Sequence, residues 1–363
     1  MFSKHHKDLF ESIQAQADKD SVAVYLIGGT IRDILVGNAP YDSDLDFVVE
    51  GDAISFAREF AKSQKYEVKE FQDFNTAKVA GITGFGTVNE VDFASARTEI
   101  YEVPGALPNV KKASLLEDLS RRDFSINSMA VRVQDMVSWL GSKDPSSDLL
   151  MPLIIDRNNG ANDLKQRTIR ILHERSFVDD PTRIFRACRY CGRLNGTIDP
   201  KTAQLLSECI QNGGLATISS TRILNEIKKI FEEREFNLVF KILMDLNVID
   251  EIGLFNLDSK IKIEATVSKL STLNFGESRN AIFESVLMLF YLSFAENERE
   301  ERFRRFGFGR KSFKVMNLEA LLPKSVEHGK TYSTAGLIYH FINASNDAMR
   351  VVSTELSSRG MKY

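Results

Sequence analysis

Short runs of alternating apolar and polar residues fill the first third of the chain, and apolar residues later recur at helical spacing. The alternation predicts strands at residues 22–28, 44–49, 66–71, 76–81 and 88–94. Helical spacing predicts a helix over residues 1–20, and a second helix over residues 52–63 begins at Asp52, a good N-cap residue. After about residue 175 the strand patterns fade and helical ones dominate. The pattern therefore predicts an α+β head followed by an all-helical body.

One segment between the predicted strands and the helical region shows neither the alternation of a strand nor the spacing of a helix. Residues 97–118 contain charges, Pro104, Pro108 and little periodicity. We expect a long loop there, and long loops in compact domains are usually functional or mobile.

Length and composition narrow the class of protein. The 363 residues exceed what one hydrophobic core usually serves, so we expect two or three domains. With 43% hydrophobic and 27% charged residues, the chain has the composition of a soluble globular protein. No apolar run reaches the length of a membrane span, and residues 1–12 lack the apolar segment of a signal peptide.

The three cysteines indicate a reducing cytoplasm rather than a disulfide framework, because their number is small and odd. Cys188 and Cys191 form a single CxxC inside a helical pattern, without a second pair. We interpret them as small core residues rather than zinc ligands.

The net charge of −3 does not by itself indicate a nucleic-acid-binding protein, but local patches set the field around a protein more than the sum does. In the segment 302–314 aromatic residues lie between basic ones. Arg304, Arg305, Arg310 and Lys311 in this segment are candidates for RNA contact; a solvated helix end is the alternative interpretation.

The first chemical motif joins a glycine pair to two carboxylates. Gly28 and Gly29 follow an apolar strand, and Asp44 and Asp46 open the next one. Alternate strand residues share a face, so these carboxylates lie side by side and favour a bound cation such as Mg²⁺. Free N–H groups in a glycine turn can bind phosphate oxygens. Phosphoryl or nucleotidyl transfer is the first hypothesis; a plain turn and a solvated strand end are the alternatives.

The second motif follows residue 118. Arg121 and Arg122 can bind a triphosphate through charge-assisted hydrogen bonds. Asp123 and Asn127 lie one helical turn apart and can face one ligand, for instance a ribose. The alternative is a helix that Asp123 caps.

The third motif begins at Asp179 and Asp180, where Pro181 marks a helix start. Arg183 falls one turn in. The Asp180 carboxylate can accept a hydrogen bond from an amino group of a base, and the Arg183 guanidinium can donate one to the neighbouring acceptor. Cytosine and adenine both present an amino group next to an acceptor on the Watson–Crick edge, whereas uracil and guanine do not match that order. The alternative is that Asp180 is an N-cap and Arg183 its local ion pair.

Four ordered segments resemble the class II tRNA nucleotidyltransferase and bacterial poly(A) polymerase family. The family motifs GGxVRD…DxD, RRDFTxNA, DxxGGxxDL and (E/D)DPxRxxRAxRF read here as GGTIRD…DLD, RRDFSINSMA, DRNNGANDL and DDPTRIFRACRY. The match covers roughly residues 20–235, and a weaker similarity continues at residues 218–226. The sequence around residues 172–181 is also similar to members that add only the terminal A.

The resemblance implies a polymerase-β-like nucleotidyltransferase head with a mixed sheet at residues 1–135. It also implies a helical neck that recognises the base at residues 136–235, followed by a helical body and tail at residues 236–363. This last region is a candidate for tRNA contact; the alternative is that it only completes the fold. It further implies addition of CMP and AMP, from CTP and ATP, to the tRNA 3′ end with two Mg²⁺ ions.

The resemblance also assigns roles to residues. Asp44 and Asp46 would be the catalytic metal ligands, and Asp92 is a candidate third carboxylate. The remaining positions would bind the nucleotide: Gly28, Gly29, Arg32 and Asp33 with the triphosphate; Arg122, Asp123 and Asn127 with ribose and phosphates; Asp180 and Arg183 with the base; Arg186 and Arg189 with phosphate.

Two departures and several alternatives accompany the resemblance. The glycine pair of the third family motif is Asn159-Gly160 here, in a segment that we expect to form a turn and a short helix. The fourth motif opens with Asp179 instead of glutamate.

A-adding, CC-adding and poly(A)-polymerase activities share these motifs. A small-molecule nucleotidyltransferase shares only the head, and a catalytically silent RNA-binding protein would not need both Asp44 and Asp46.

Overall fold

A computed structural model describes residues 4–37, 45–82, 88–253 and 296–305 of the chain. The chain divides into two compact units, Met1–Asp179 with Gly196–Ala203, and Asp180–Asn195 with Gln204–Tyr363. In these described ranges no helix combines the length and the apolar character that crossing a membrane requires. The predicted functional boundaries after residues 135 and 235 stay a prediction.

Helices and strands alternate in the first unit, whereas helices make up the described part of the second. The helices are α1 (Lys4–Asp20), α2 (Gly29–Leu35), α3 (Ala53–Gln64), α4 (Leu115–Ser120), α5 (Val133–Leu140), α6 (Ser147–Leu150), α7 (Gly160–Lys165), α8 (Ser176–Asp179), α9 (Thr182–Leu194), α10 (Pro200–Gln211), α11 (Ser220–Glu232), α12 (Phe236–Asp245), α13 (Val248–Ile252) and α14 (Glu296–Arg305). The strands are β1 (Ala23–Ile27), β2 (Leu45–Glu50), β3 (Glu67–Phe71), β4 (Thr76–Ala80), β5 (Glu90–Ser95), β6 (Arg97–Ile100), β7 (Asn109–Lys112), β8 (Ala130–Arg132), β9 (Thr168–Ile169) and β10 (Thr197–Ile198).

A six-stranded mixed sheet with the order β3-β4-β5-β2-β1-β8 is the centre of the first unit. β2 and β5 run parallel, and the other neighbouring pairs are antiparallel. The five strands predicted from alternation are confirmed as β1 to β5, as are the helices α1 and α3. The α+β class of the head is therefore confirmed.

An aromatic core covers one face of this sheet. Phe47 on β2 stacks on Phe93 of β5 with ring centroids 5.3 Å apart, and Phe10 of α1 meets Phe47 edge-on at 5.6 Å. Phe56 and Phe60 of α3 contact Phe93 from the same side. Burial of such rings is a large stabilising term, and the period of two sends the intervening strand residues to the opposite face.

The expected long loop at 97–118 is wrong. β6 and β7 form an antiparallel hairpin within it, and α4 begins after Ser114, whose side chain and Glu117 form a capping box. The hairpin was missed because its residues are largely exposed or half-buried, so no buried face imposes an apolar alternation.

The second unit packs α9 against α11 and α12. A Cβ on Gly192 of α9 would lie 2.4 Å from the Val239 side chain, so glycine permits this close approach. Cys188 and Cys191 of α9 and Cys209 of α10 are buried and unbridged, and burial raises the pKa of each thiol. The interpretation of the CxxC pair as core residues agrees with this burial.

Candidate nucleotide and metal site

The glycine turn after β1 has a backbone shape that only glycine adopts readily. Gly28 has φ 70° and ψ −125°, and α2 begins directly after it at Gly29. The Gly28 N–H donates to the Met129 carbonyl at 3.2 Å, which ties the turn to the segment before β8. The turn therefore lies at the end of the sheet where β1 finishes and β2 begins.

A chain of hydrogen bonds joins the first motif to the second. The buried Arg32 donates through Nη1 to Asn127 Oδ1 at 2.8 Å and through Nε to Asp33 Oδ1 at 2.9 Å. Asn127 Nδ2 in turn donates to Asp123 Oδ1 at 3.2 Å. The structure thus brings together two predicted site residues of the first motif and two of the second, which is 95 positions further along the chain when measured from Arg32 to Asn127. Asp123 is also bonded to the Phe124 N–H at 2.8 Å, so it orders its own turn, in which Ser125–Asn127 form a 3₁₀ helix.

The two adjacent arginines of the second motif both bind Asp118 but differ in their other contacts. Arg121 donates to the Arg97 carbonyl, to Asp118 and to Glu99, all within the protein. Arg122 instead extends toward the glycine turn, where its Nη1 lies 4.0 Å from the position of a Cβ on Gly28. The sequence predicted a pair of phosphate ligands; in this geometry Arg122 alone of the two reaches the turn.

Two carboxylates lie next to each other on the sheet face opposite the aromatic core. Asp46 on β2 and Asp92 on β5 are directly paired in the parallel register. Their neighbours Leu45, Phe47, Val91 and Phe93 are buried, whereas Asp46 is exposed and Asp92 half-buried. Alternation therefore presents both carboxylates on one face, beside the strand ends near Gly28.

Lys78 on β4 completes this row of charges. It is paired in register with Asp92, and its Nζ contacts Glu90 and lies 3.4 Å from Asp92 Oδ2. Burial tends to lower the pKa of Lys78, but Glu90 and Asp92 outweigh burial and the pKa lies above its usual value. The lysine is consequently a cation that partly neutralises Asp92.

The donor set fits a hard divalent cation. Carboxylate oxygens are the ligands that Mg²⁺ prefers, and one or two of them usually suffice when a substrate supplies phosphates. Among the residues that the structure describes, no three acidic, histidine or cysteine side chains form a metal-binding group. Asp44, the other predicted ligand, lies outside the described residues.

The start of α9 holds the predicted base-reading residues of the second unit. Asp180 Oδ1 accepts from the Thr182 N–H at 3.1 Å and from Thr182 Oγ1 at 2.7 Å, which is the capping geometry of the alternative interpretation. The same oxygen binds Arg222 Nη2 at 2.7 Å. Arg183 is buried, and its N–H donates to the Asp180 carbonyl at 3.0 Å.

The later arginines of α9 surround Tyr190. Arg186, Arg189 and Arg193 each lie between 5.5 and 5.7 Å from the centroid of its ring. Arg189 also donates to Glu226 at 3.1 Å and to Glu233 at 3.0 Å, both in the α11 region. Arg189 is therefore engaged inside the unit, while Arg186 donates to the Tyr190 hydroxyl at 3.1 Å and is only half-buried.

The predicted RNA-binding residues fall at or beyond the last described helix. Arg304 is exposed at the end of α14, and Arg305 is the last residue of that helix. Arg310 and Lys311 lie outside the described residues.

Comparison with known proteins identifies the family. Residues 24–170 match the poly A polymerase head domain, and residues 196–253 match the probable RNA and SrmB-binding site of polymerase A. An A-adding tRNA nucleotidyltransferase of Aquifex aeolicus is 40% identical over 228 residues. A second, of Halalkalibacterium halodurans, is 37% identical over 245 residues. The chain belongs to the class II tRNA nucleotidyltransferase and poly(A) polymerase family.

Solved members of this family have the same fold. A tRNA nucleotidyltransferase complexed with a primer tRNA and an incoming ATP analog matches with a TM-score of 0.69 and 28% identity, over 96% of each chain. A Thermotoga maritima CCA-adding enzyme complexed with tRNA matches with a TM-score of 0.65 and 26% identity, over 96% of this chain and 81% of that one. The two curated relatives are longer: the matches cover 63% and 67% of this chain but 25% and 53% of those proteins.

The structure explains the departure from the family's glycine pair. Asn159 adopts the left-handed conformation with φ 58°, which asparagine tolerates better than most residues, and the turn and short helix predicted here are confirmed by α7. Asp156 accepts from the Gly160 and Ala161 N–H groups at 2.8 and 2.9 Å. The turn is therefore built without the first glycine.

Three residues that the motifs did not single out lie among the predicted ones. They are Lys78 beside Asp92, Asp118 beside Arg122, and Arg222 bound to Asp180. The i, i+3 and i, i+4 spacing of Asp118 to the two arginines is a signal that could have found it. Arg222 lies 42 residues from its partner, a separation that no local pattern predicts.

Proposed function

We propose that this protein is a template-independent tRNA 3′-terminal nucleotidyltransferase, which adds CMP, AMP or both from CTP and ATP. One observation carries the proposal: the glycine turn with Arg122 and the paired carboxylates Asp46 and Asp92 lie at the same end of one sheet. A solved tRNA nucleotidyltransferase complexed with a primer tRNA and an incoming ATP analog supports it.

In the proposed reaction the tRNA 3′-hydroxyl oxygen attacks the α-phosphorus of the nucleotide. The bond from the α-phosphorus to the bridging oxygen breaks, pyrophosphate leaves, and the hydroxyl proton is released. The turn at Gly28 and Gly29 and the Arg122 guanidinium bind the phosphates. Asp123 and Asn127 face the ribose, and Arg32 with Asp33 holds Asn127 in place.

Asp46 and Asp92, together with Asp44, would hold magnesium. When bound by these carboxylates, Mg²⁺ would supply Lewis-acid chemistry: it would lower the pKa of the attacking hydroxyl and neutralise charge on the leaving oxygens. The chain's own contribution is to place Asp46 and Asp92 side by side at the phosphate-binding end of the sheet. An Asp46→Asn variant that keeps near-normal incorporation would contradict this assignment.

Asp180 and Arg183 are proposed to select the base. In the described part of the chain the side-chain contacts of Asp180 use Oδ1, which leaves Oδ2 to accept from the amino group of cytosine or adenine. Asp180→Ala should relax selection against UTP and GTP while some catalysis remains. Unchanged selection would remove Asp180 from base reading.

We favour AMP addition as the main activity within this class. The three A-adding relatives are 37–40% identical, compared with 34% for a CC-adding relative and 28–33% for multifunctional CCA proteins. This ordering is the observation that favours the A-adding activity.

The test uses three purified tRNAs that end at the discriminator base, at CC and at CCA. Each is incubated with the protein, Mg²⁺ and one labelled nucleotide at a time. AMP addition only to the CC-ended tRNA is the expected result. CMP, CMP and AMP addition to the first tRNA would show a CCA-adding enzyme, CMP alone a CC-adding one, and long A tracts on unrelated RNA a poly(A) polymerase. No incorporation into RNA would overturn the proposal.

A further inference from the structure

Asp118 is a charged residue enclosed by the protein near the proposed phosphate site. It lies on the last turn of α4, and its exposed fraction is 0%. A buried carboxylate is costly unless hydrogen bonds and opposite charges compensate for its lost hydration. The groups that compensate for Asp118 are arginines, so its orientation and theirs are fixed together.

The two oxygens of Asp118 bind different arginines. Oδ1 accepts from Arg121 Nε at 3.0 Å and Nη2 at 2.6 Å. Oδ2 accepts from Arg122 Nε at 3.2 Å and Nη2 at 2.8 Å. The edge of the Arg122 guanidinium formed by Nε and Nη2 is thereby occupied, and Nη1 is the nitrogen that points to the glycine turn at Gly28.

The other side of Asp118 is anchored to the hairpin. Its Oδ1 also accepts from the Arg97 N–H at 3.3 Å, and Arg121 bridges to Glu99 of β6 at 2.6 Å. Burial tends to raise the pKa of Asp118, but Arg122 and Arg121 outweigh burial and hold it below the usual value. The ionised carboxylate is therefore a rigid anchor for Arg122.

We propose that Asp118 is a positioning residue for nucleotide binding: it fixes the Arg122 guanidinium with Nη1 directed at the phosphates. The inference rests on the proposed function, since it takes the glycine turn as the triphosphate site. A guanidinium already held in place loses little side-chain freedom when it binds an anion, so removal of Asp118 weakens binding through Arg122.

The experiment measures calorimetric binding of ATP, and of inorganic tripolyphosphate as a probe without base or ribose, to the full chain. Asp118→Asn keeps the shape of the side chain and removes its charge. We expect this variant to bind both probes about tenfold more weakly, the size of one charge-assisted contact. In steady-state assays KM for ATP should rise more than kcat falls.

Two further variants separate positioning from folding. In an Arg122→Ala background, Asp118→Asn should change binding by less than about twofold, because the residue through which it acts is gone. Glu117→Gln is the matched control: it alters the capping box of the same helix without touching Arg122, and it should leave ATP affinity unchanged. Urea unfolding confirms that each variant is folded under the assay conditions.

The outcomes test two statements separately: that Asp118 positions Arg122, and that the glycine turn is the triphosphate site. If Asp118→Asn weakens binding equally in both backgrounds, or if Glu117→Gln weakens it as much, Asp118 acts through the fold and the inference fails. If Asp118→Asn leaves both probes bound as tightly as the parent does, the inference also fails. If Arg122→Ala itself leaves tripolyphosphate binding unchanged, the glycine turn is not the triphosphate site and the proposed function loses its main support.

Discussion

A backbone contact determines which residue can occupy position 160. A Cβ on Gly160 would lie 2.1 Å from the Ser125 carbonyl oxygen, and a backbone atom cannot move aside as a flexible side chain can. We expect Gly160→Ala to lower the free energy of unfolding by about 1–3 kcal/mol, the usual cost of overpacking. Urea unfolding followed by circular dichroism measures the change.

The neighbouring residue provides the control for this prediction. Asn159 has a left-handed backbone, so Asn159→Gly should change the free energy of unfolding by less than about 0.5 kcal/mol, whereas Asn159→Ala should cost about 1 kcal/mol. If Gly160→Ala were as stable as the parent, residue 160 and Ser125 would not approach closely.

The buried carboxylate of Asp118 should make stability depend on pH in acid. Because the folded pKa is lowered, the unfolded state takes up the proton first. The contribution of Asp118 is fully present above the unfolded pKa of about 4 and is lost as pH falls through the lower folded value. Urea unfolding from pH 3 to 7 should show a shallower acid decline for Asp118→Asn than for the parent. Equal slopes would contradict the prediction.

At the scale of residues, the sequence motifs located most of the candidate site, but they did not predict which contacts each residue makes. Arg121 and Arg122 are equivalent in the sequence. The structure distinguishes them because Glu99 and the Arg97 carbonyl bind Arg121, and those contacts depend on a hairpin that has no apolar pattern. The partner of Asp180, Arg222, lies 42 residues away on a separate helix, a separation that no local sequence pattern predicts.

At the scale of elements, strands whose exposure alternates along the chain were predictable, including β3, which alternates between exposed and half-buried residues. The strands β6 and β7, which lack this alternation, were missed. β1, β2 and β5 carry residues such as Leu26, Phe47 and Phe93 that pack in the core, and this burial imposes the period of two. The β6–β7 hairpin has no such constraint. In the second unit, α11 buries a stripe of residues at helical spacing, whereas α9 is buried on nearly all sides. The stripe of α11 is the kind of pattern that a sequence reveals.

An ion-pair network joins α9 to α11 and should contribute strongly to the second unit. Glu233 binds Arg189 at 3.0 Å and Arg193 at 2.8 Å, and its side chain is 7% exposed. Removing one partner of a buried ion pair leaves its counter-charge uncompensated, typically at a cost of about 3–5 kcal/mol. We expect Glu233→Gln, which keeps hydrogen-bonding capacity, to lose about 2 kcal/mol or more in urea unfolding.

An exposed pair in the same unit is the control. Lys241 and Asp245 lie 3.6 Å apart with side chains 67% and 62% exposed, so Asp245→Asn should change the free energy of unfolding by less than about 1 kcal/mol. Equal effects of the two substitutions would mean that burial does not strengthen the network around Glu233.

At the scale of the whole molecule, charge is distributed unevenly along the chain. The net charge is −3, yet the proposed partner is a polyanion. α14 illustrates the unevenness: its first half is acidic and its end, from Arg302 onward, is basic. Binding of tRNA therefore has to depend on local basic segments and on counterion release rather than on the overall field. The segment 302–314 is the predicted site of such contact.

Salt dependence tests that prediction without any assumption about catalysis. The logarithm of the tRNA association constant should fall linearly with the logarithm of salt concentration, by roughly 0.7–0.9 for each phosphate that is neutralised. Replacing the four basic residues of the segment with glutamine should lower the slope by about two or more.

The control replaces four exposed lysines of the first unit and should leave the slope within about one unit of the parent's. The test set is Arg304, Arg305, Arg310 and Lys311, and the control set is Lys19, Lys62, Lys65 and Lys143. An unchanged slope in the test set would place tRNA contact elsewhere on the protein, whereas equal losses in both sets would show that tRNA responds to total charge rather than to this segment.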